Sequence, residues 1–203
     1  VFETKKPVII STGTLTINEI GSLVKFIKKN NYKNYSILHC VSEYPANNKN
    51  INLKMIDYLR KKYKCVVGFS DHTRGLGAAI SSVAFGANVI EKHFKLKEDK
   101  KNLDNDFSIT PKEAEILITE TENAWLAIGD NKKKLSLTEK IYKEYRRSIY
   151  VVKDIKKGEL LTKKNIKVIR PGKGLDARKF EDLLGKKSKK FMKLGSPLNF
   201  KVR

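Results

Sequence analysis

Residues 65–94 read CVVGFSDHTRGLGAAISSVAFGANVIEKHF. The stretch begins and ends with a short apolar run, and the segment between these runs is rich in glycine and alanine, which suits a closely packed helix. Short, almost continuously apolar strands on either side of a helix are typical of a parallel sheet with helical crossovers. This segment therefore predicts a strand, a helix and a second strand that runs parallel to the first.

The same alternation occurs earlier and later in the chain. Short apolar runs at 7–12 and 35–40 are each followed by an amphipathic segment with helical spacing, at 17–30 and 51–63. A last helix is predicted from Pro111, because proline suits the first turn of a helix. Four strands that alternate with four helices predict an α/β fold built on a parallel sheet.

The pattern changes after Asp130. Residues 131–145 are lysine-rich and weakly apolar, which is typical of a linker. Residues 146–203 contain short apolar runs separated by the turn sequences KKGE, PGKG and KLGSP, and they predict a small β-rich domain. We therefore divide the chain into an α/β domain at 1–130, a linker at 131–145 and a β-rich domain at 146–203.

Composition narrows the class of protein. No apolar run approaches the roughly 20 residues needed to cross a bilayer, and the first residues lack the apolar segment of a signal peptide. The two cysteines, Cys40 and Cys65, lie inside apolar runs without CxxC spacing. They are expected to be reduced, buried thiols, so the sequence predicts a soluble, cytoplasmic protein.

The net charge of +21 raises the question of a nucleic-acid partner. Only seven of the 43 basic residues are arginines, although base-reading and phosphate-binding surfaces usually depend on arginine. The lysines are scattered over nearly every segment, which favours a solvated surface. We therefore expect neither a nucleic-acid nor a membrane partner, while the positive field would also favour an anionic small substrate.

Polar residues follow each predicted strand. In parallel α/β sheets the chemistry lies at the carboxyl ends of the strands. All three histidines of the chain fall at these ends, which indicates an active site at this edge of the sheet. The polar residues concerned, in chain order, are Ser11, Thr12, His39, Ser42, Glu43, Tyr44, Ser70, Asp71, His72, Thr73, Glu91, Lys92 and His93.

His72 and His93 are the strongest candidates for metal ligands. They lie 21 residues apart on consecutive predicted strands, which would run about 4.8 Å from each other. Two imidazoles at matching strand ends can share one divalent cation and leave positions open for water or substrate. A single histidine is more often a hydrogen-bonded core residue, and for His39 the buried and the functional interpretation stay equally open. Ser11 and Ser70 could bind phosphate oxygens.

Several motifs resemble the sialic acid synthase family, whose members make nonulosonic acids. The motifs are GFSDHTRG at 68–75, VIEKHF at 89–94 and the D-x-x-x-S pattern that runs from Asp104 to Ser108. LHCVSEYP at 38–45 continues the resemblance. RRSIYVVKDIKKGELLTKKNIKVIRPGKG at 146–174 is similar to the C-terminal antifreeze-like (SAF) domain of that family.

The resemblance implies the C-terminal half of a (β/α)8 TIM barrel, with strands 5–8 of the barrel, followed by an SAF domain. It implies a synthase that condenses phosphoenolpyruvate with an N-acylated hexose and releases phosphate. His72 and His93 match the ligands of a divalent metal, Mn²⁺ or else Mg²⁺, and Glu91 matches an acidic residue beside the second ligand. These three are the expected catalytic residues.

The resemblance also implies substrate contacts and a partner. Arg170 matches an arginine that the SAF domain extends into the active site of the partner subunit, which implies a domain-swapped homodimer. Ser42 stands where the family has an asparagine in its phosphoenolpyruvate site. The positions implied to bind phosphoenolpyruvate are Ser11, Ser42 and Ser70, and those implied to bind the amino sugar are Tyr44 and Asp104.

Two questions stay open at this point. RPGKGL and DNDFS resemble pseudaminic acid synthases, whereas SEYPA resembles the sialic and legionaminic types, so N-acetylmannosamine and a 2,4-diacetamido sugar are both candidate substrates. Four strand–helix units make only half of a (β/α)8 barrel, so we expect the chain alone to be inactive. The alternative function is a non-catalytic fragment that binds a carbohydrate or a partner.

Overall fold

The chain forms two compact units in the computed structural model, which describes residues 2–96 and 102–199. The first unit is Val1–Asp130 and the second is Asn131–Arg203. A short 3₁₀ turn, Phe2–Thr4, precedes the first strand. The first unit then contains β1 (Val8–Ser11), α1 (Ile17–Lys29), β2 (Tyr35–Cys40), α2 (Lys54–Tyr63), β3 (Val66–Asp71), α3 (Gly77–Ala84), β4 (Ile90–Lys92) and α4 (Pro111–Ile128).

The four strands form one all-parallel sheet in the order β1-β2-β3-β4. Each strand pairs with the next one in sequence, and helices connect them, so the sheet is built from successive βαβ crossovers. The prediction of an α/β fold with four parallel strands is therefore confirmed. Four parallel strands in consecutive order, each followed by a helix, have the arrangement of one half of a (β/α)8 barrel.

Helix ends follow local chemistry. The side chain of Thr16 caps α1 and that of Thr110 caps α4, and in each case a glutamate three residues later, Glu19 or Glu113, completes a capping box. Pro111 lies in the first turn of α4, as the sequence predicted.

The sheet has one buried and one more open face in this chain. Ile37, Val67 and Phe69 belong to the core that α1 and α2 cover, so alternate residues point to the opposite face. On that opposite face Ile9 is 56% exposed and Val66 is 47% exposed. Among the described residues, no helix is long and apolar enough to cross a membrane.

The second unit has its own core, which includes Ile149, Val151 and Ile166. Its elements are α5 (Leu137–Tyr142), a 3₁₀ turn (Lys143–Tyr145), β5 (Ser148–Val151), β6 (Ile166–Ile169), a 3₁₀ turn (Ala177–Lys179) and α6 (Phe180–Leu183). β5 and β6 form an antiparallel pair, and isolated bridges tie the remaining turns to it. The region predicted as a linker thus contains a short helix.

Candidate functional site

Two histidines follow neighbouring strands at the carboxyl edge of the sheet. The register between β3 and β4 pairs Asp71 with Lys92, and His72 and His93 are the next residues along the chain. Their ring centroids lie 5.2 Å apart. The structure therefore brings together the two imidazoles that the 21-residue spacing placed on adjacent strands.

The His72 side chain is buried and held by its own surroundings. Its Nδ1 atom lies 3.0 Å from the carbonyl oxygen of Val41 and 3.8 Å from Sγ of Cys40. Because a carbonyl oxygen only accepts hydrogen bonds, a proton on Nδ1 donates to Val41 and leaves the lone pair on Nε2. A bond of this type commonly fixes the ring orientation of a metal-binding histidine.

The His93 side chain faces a carboxylate. Its Nδ1 atom lies 3.4 Å from Oδ2 of Asp104. The backbone fixes this geometry, because the amide of Ile109 donates to the carbonyl of His93 and the amide of Ser108 donates to the carbonyl of Asp104. In both imidazoles Nδ1 therefore has a polar neighbour, and Nε2 is the nitrogen left to bind a metal ion or a substrate.

Two aromatic rings border the histidines. The Tyr44 ring centroid lies 4.3 Å from that of His72, and the Phe107 centroid lies 4.8 Å from that of His93. Tyr44 is largely exposed and precedes a cis peptide bond to Pro45, whereas Phe107 is only 1% exposed. Tyr44 was predicted from the sequence and Phe107 was not, because an apolar residue inside the D-x-x-x-S pattern has no chemical signature of its own.

Ser70 and Glu91 form a polar pair on the open face of the sheet. The Ser70 hydroxyl donates to Oε1 of Glu91 across β3 and β4 at 2.8 Å. Ser70 is buried and Glu91 is exposed. The predicted phosphate-binding serine and the predicted acidic residue are thus in direct contact.

Ser11 and Ser42 lie at the carboxyl ends of β1 and β2. Both are exposed, and the Ser42 hydroxyl lies close to Gly13, where an added Cβ would approach it to 2.9 Å. Within residues 2–96 and 102–199, no hydrogen bond links either serine to the two histidines. The structure therefore places them on the same edge without joining them to the paired imidazoles.

His39 lies on the opposite, helix-covered face. Its Nε2 atom lies 2.6 Å from the carbonyl oxygen of Ile51, and its ring stacks near that of Phe69. Burial lowers the pKa of His39, while the hydrogen bond to Ile51 acts in the opposite direction. Of the two interpretations left open by the sequence, the structure supports the hydrogen-bonded core histidine.

A buried ion pair lies directly behind the two histidines. Nζ of Lys92 lies 2.8 Å from Oδ2 of Asp71, and the side chains are 2% and 0% exposed. Both residues belong to the polar set at the predicted strand ends, but the sequence predicts no role for either. The sequence feature that could have singled them out is their position, because each immediately precedes one of the paired histidines.

Arg170 belongs to the second unit and is exposed. It precedes a cis peptide bond to Pro171, whose carbonyl accepts a hydrogen bond from the Ser148 hydroxyl. The amide of Gly174 donates to the same hydroxyl at 2.9 Å. A Cβ at Gly174 would lie 2.3 Å from the carbonyl oxygen of Ile149, so the PGKG turn requires glycine there.

The described residues contain no group of three or more histidine, cysteine or acidic side chains that could hold a metal ion. A metal at this edge would therefore depend on two imidazoles plus water or substrate. Two protein ligands with open positions describe a catalytic rather than a structural metal site.

The two units of this chain, a parallel sheet with paired histidines at its carboxyl edge and a small β-rich unit, each match a known type of domain. Residues 1–133 match the NeuB family and residues 146–201 match the SAF domain. The chain belongs to the NeuB family.

Named relatives agree with this assignment. Over 96% of its length the chain is 40% identical to pseudaminic acid synthase from Campylobacter jejuni, and over 89% it is 40% identical to N,N'-diacetyllegionaminic acid synthase from the same species. It covers 57% and 55% of these two proteins. The chain thus spans little more than half the length of the curated relatives that it matches.

A solved structure is also similar. The N-acetylneuraminic acid synthetase from Leptospira borgpetersenii, crystallised with citrate, superimposes with a TM-score of 0.63 and 36% identity. The match covers 68% of this chain and 48% of the synthetase.

Proposed function

We propose that this chain is the C-terminal portion of a nonulosonic acid synthase. The complete enzyme would condense phosphoenolpyruvate with an N-acylated hexose, giving a nine-carbon 2-keto acid and inorganic phosphate. In this proposal β1 to β4 correspond to strands 5–8 of a (β/α)8 barrel. The observation that carries the proposal is the pair His72 and His93, side by side at the carboxyl edge of the sheet in a chain of this family.

His72 and His93 would hold a divalent cation, Mn²⁺ or Mg²⁺. Their ring centroids lie 5.2 Å apart, which suits two imidazoles that share one ion, with a nitrogen–metal distance of about 2 Å for each ring. Their Nδ1 neighbours, Val41 and Asp104, leave Nε2 for the ion. When bound, the cation would act as a Lewis acid that polarises the aldehyde of the open-chain sugar.

Glu91 and Ser70 would act on phosphoenolpyruvate. Carbon 3 of phosphoenolpyruvate forms the new bond to the aldehyde carbon, and water adds to carbon 2 before phosphate leaves with the bridging oxygen. Glu91 is exposed on the open face and accepts from Ser70, which supports the proposal that its carboxylate would orient that water or remove its proton. Ser70, with Ser11 and Ser42 on the same edge, would bind the phosphate and carboxylate oxygens.

Tyr44 and Asp104 would bind the sugar. Tyr44 is exposed beside His72, so its ring can cover an apolar face of the sugar while its hydroxyl reaches a polar group. Asp104 lies beside His93 with half-exposed oxygens that can accept from sugar hydroxyls. The Phe107 ring lies 5.9 Å from that of Tyr44 and 4.8 Å from that of His93, so it would form an apolar wall of the site beside these two residues.

Arg170 would complete the site of a second subunit. It is exposed at the end of β6, and a planar guanidinium binds carboxylates in a bidentate manner. In the complete protein this arrangement would require a domain-swapped homodimer. The use of phosphoenolpyruvate favours a cytoplasmic location.

The decisive experiment measures phosphate release in a complete polypeptide that contains this chain. It is supplied with phosphoenolpyruvate, Mn²⁺ and either N-acetylmannosamine or a 2,4-diacetamido sugar. The His72→Ala variant is expected to lose at least about 100-fold in rate, because one of two metal ligands is removed. The surface variant Asp57→Asn serves as the control and should retain activity.

Two outcomes would count against the proposal. Turnover of none of these sugars, with retained sugar binding by residues 146–203, would favour the alternative of a non-catalytic carbohydrate-binding fragment. Full activity of His72→Ala would exclude a role for the paired histidines.

A further inference from the structure

The ion pair of Asp71 and Lys92 links the two strands at the level where the histidines begin. Nζ of Lys92 donates to Oδ2 of Asp71 at 2.8 Å and to the carbonyl oxygen of Thr73 at 2.7 Å. The second carboxylate oxygen, Oδ1 of Asp71, accepts from the amide of Thr73 at 2.8 Å. The pair therefore holds both backbone polar groups of the residue that follows His72.

The side chain of Thr73 takes no part in this arrangement. Its hydroxyl Oγ1 is buried and has no hydrogen-bond partner within the described ranges 2–96 and 102–199. The backbone at 72–73 is thus fixed by the ion pair and by one further bond, in which the amide of Ala46 donates to the carbonyl of His72 at 2.9 Å.

Asp71 and Lys92 do not face the open side of the sheet. Side chains alternate along a strand, so the residues that directly precede His72 and His93 point to the helix-covered face. Ile90, two residues before Lys92, packs against the cluster of α3 and α4. The side chains of the ion pair consequently influence the site only through the position of the backbone that carries the histidines.

Stability alone does not account for a buried ion pair at this place. Removing both charges from water is costly, and replacing a whole buried pair with uncharged residues is often neutral or stabilising. The best attested use of such a pair is to fix one arrangement among several. Here the arrangement concerned is the distance between two strand ends.

We infer that Asp71 and Lys92 are positioning residues that set the separation and direction of His72 and His93 for one shared cation. This inference rests on the proposed function, because it concerns the metal site of the same enzyme. Neither residue touches the metal or the substrates. Their effect passes through the backbone of Thr73 and through the register of β3 with β4.

The test replaces the pair without leaving a lone buried charge. The double variant Asp71→Asn/Lys92→Met keeps an acceptor for the Thr73 amide and removes the link across the strands. Its control is Asp57→Asn/Lys61→Met, which removes an aspartate–lysine pair of similar length, 2.6 Å, on the surface of α2, where the side chains are 32% and 68% exposed. Both variants are made in the complete polypeptide.

Two quantities are measured. The affinity for Mn²⁺ is obtained from the electron paramagnetic resonance signal of free Mn²⁺, and stability is obtained from the midpoint of unfolding in urea. Disturbing groups that orient metal ligands typically lowers metal affinity by 10–100-fold. We expect at least about a tenfold loss of affinity in the double variant, with the cooperative urea transition retained and with no loss in the control.

The possible failures are distinguishable. A folded double variant that binds Mn²⁺ within about twofold of the parent protein overturns the inference and leaves the proposed function intact. A parent protein whose Mn²⁺ affinity does not change on His72→Ala overturns the proposed metal site and, with it, this inference. A double variant that loses its cooperative transition shows a purely structural role and also overturns the inference.

Discussion

The imidazole of His93 and the carboxylate of Asp104 face each other, with 3.4 Å between Nδ1 and Oδ2. A carboxylate at this position fixes the tautomer of the ring and raises the basicity of the opposite nitrogen. Asp104 was predicted from the sequence as a sugar-binding residue. Its position beside His93 supports a second role in the proposed metal site, in which Asp104 would orient the imidazole that binds the ion.

The variant Asp104→Asn separates these two roles. We expect Mn²⁺ affinity to fall by about tenfold, because the amide lacks the charge that supports the imidazole. The KM for the amino sugar should rise as well, since a neutral amide accepts more weakly from sugar hydroxyls. Affinity is measured by titration with Mn²⁺ and KM by phosphate release.

The neighbouring variant Asp106→Asn is the matched control. Asp106 lies in the same loop but pairs with Arg74, and both members of this pair are exposed. Its loss should leave Mn²⁺ affinity within about twofold of the parent, since exposed ion pairs contribute little. Equal losses in both variants would contradict a specific role for Asp104.

A second prediction concerns the packing beneath Ser70. A Cβ at Gly68 would lie 2.3 Å from the carbonyl oxygen of Val89 and 2.5 Å from Cδ2 of Leu38. Gly68→Ala should therefore destabilise the chain by about 2–3 kcal/mol, as overpacked cores do, and shift β4 away from β3. The free energy of unfolding is measured in urea.

Gly77→Ala provides the comparison. Gly77 begins α3, and no atom lies within 4 Å of the position of its added Cβ. Alanine is the better helix former, so this variant should be neutral or more stable by up to about 1 kcal/mol. A Gly68→Ala protein as stable as Gly77→Ala would show that the strands separate at little cost.

The strands, the helices and the histidine pair could all be predicted from the sequence. Near-continuous apolar runs identified buried parallel strands, and the spacing of His72 and His93 translated directly into neighbouring strand ends. These are local patterns, because the side-chain period and the βαβ crossover follow from backbone geometry.

Other features depended on contacts that no local pattern encodes. The sequence does not decide which face of the sheet the His39 side chain points to. A residue near a strand end can belong to either face until the pairing of β2 with its neighbours is known. The pair of Asp71 and Lys92 involves two charged residues at the ends of their strands, which only the tertiary structure brings within 2.8 Å of each other. The identity of the metal and the roles of the individual site residues stay predictions.

A third prediction concerns Arg170. It is exposed, so Arg170→Ala should leave the unfolding free energy within about 0.5 kcal/mol of the parent value. The kcat/KM of the complete enzyme should fall by about 10–100-fold, which is the cost of losing a hydrogen bond to a charged group. Mn²⁺ affinity should not change, because Arg170 is not a metal ligand in the proposed site.

Lys173→Ala tests whether the effect belongs to Arg170 or to the positive charge of the turn. Lys173 is exposed two residues beyond Pro171. We expect its removal to change kcat/KM by less than about threefold, since a screened surface charge acts weakly. Similar losses in both variants would indicate general electrostatic attraction of the anionic substrate.

The last prediction follows from the buried imidazole of His39. Burial lowers its pKa in the folded chain, so it stays neutral there at pH values where the unfolded chain, with a histidine pKa of about 6.5, takes up a proton. The unfolded state then binds more protons, and the free energy of unfolding must fall as the pH falls below about 6.5. The slope from this residue is at most about 1.4 kcal/mol for each pH unit, and it ends below the folded pKa. Urea unfolding of the parent chain and of His39→Gln at several pH values between about 5 and 7.5 isolates this contribution, because the two proteins differ only at residue 39. Glutamine can still donate to the carbonyl of Ile51, so the variant should fold and lose less stability than the parent on acidification. A parent chain that gains stability relative to His39→Gln as the pH falls would mean that His39 is charged in the folded state.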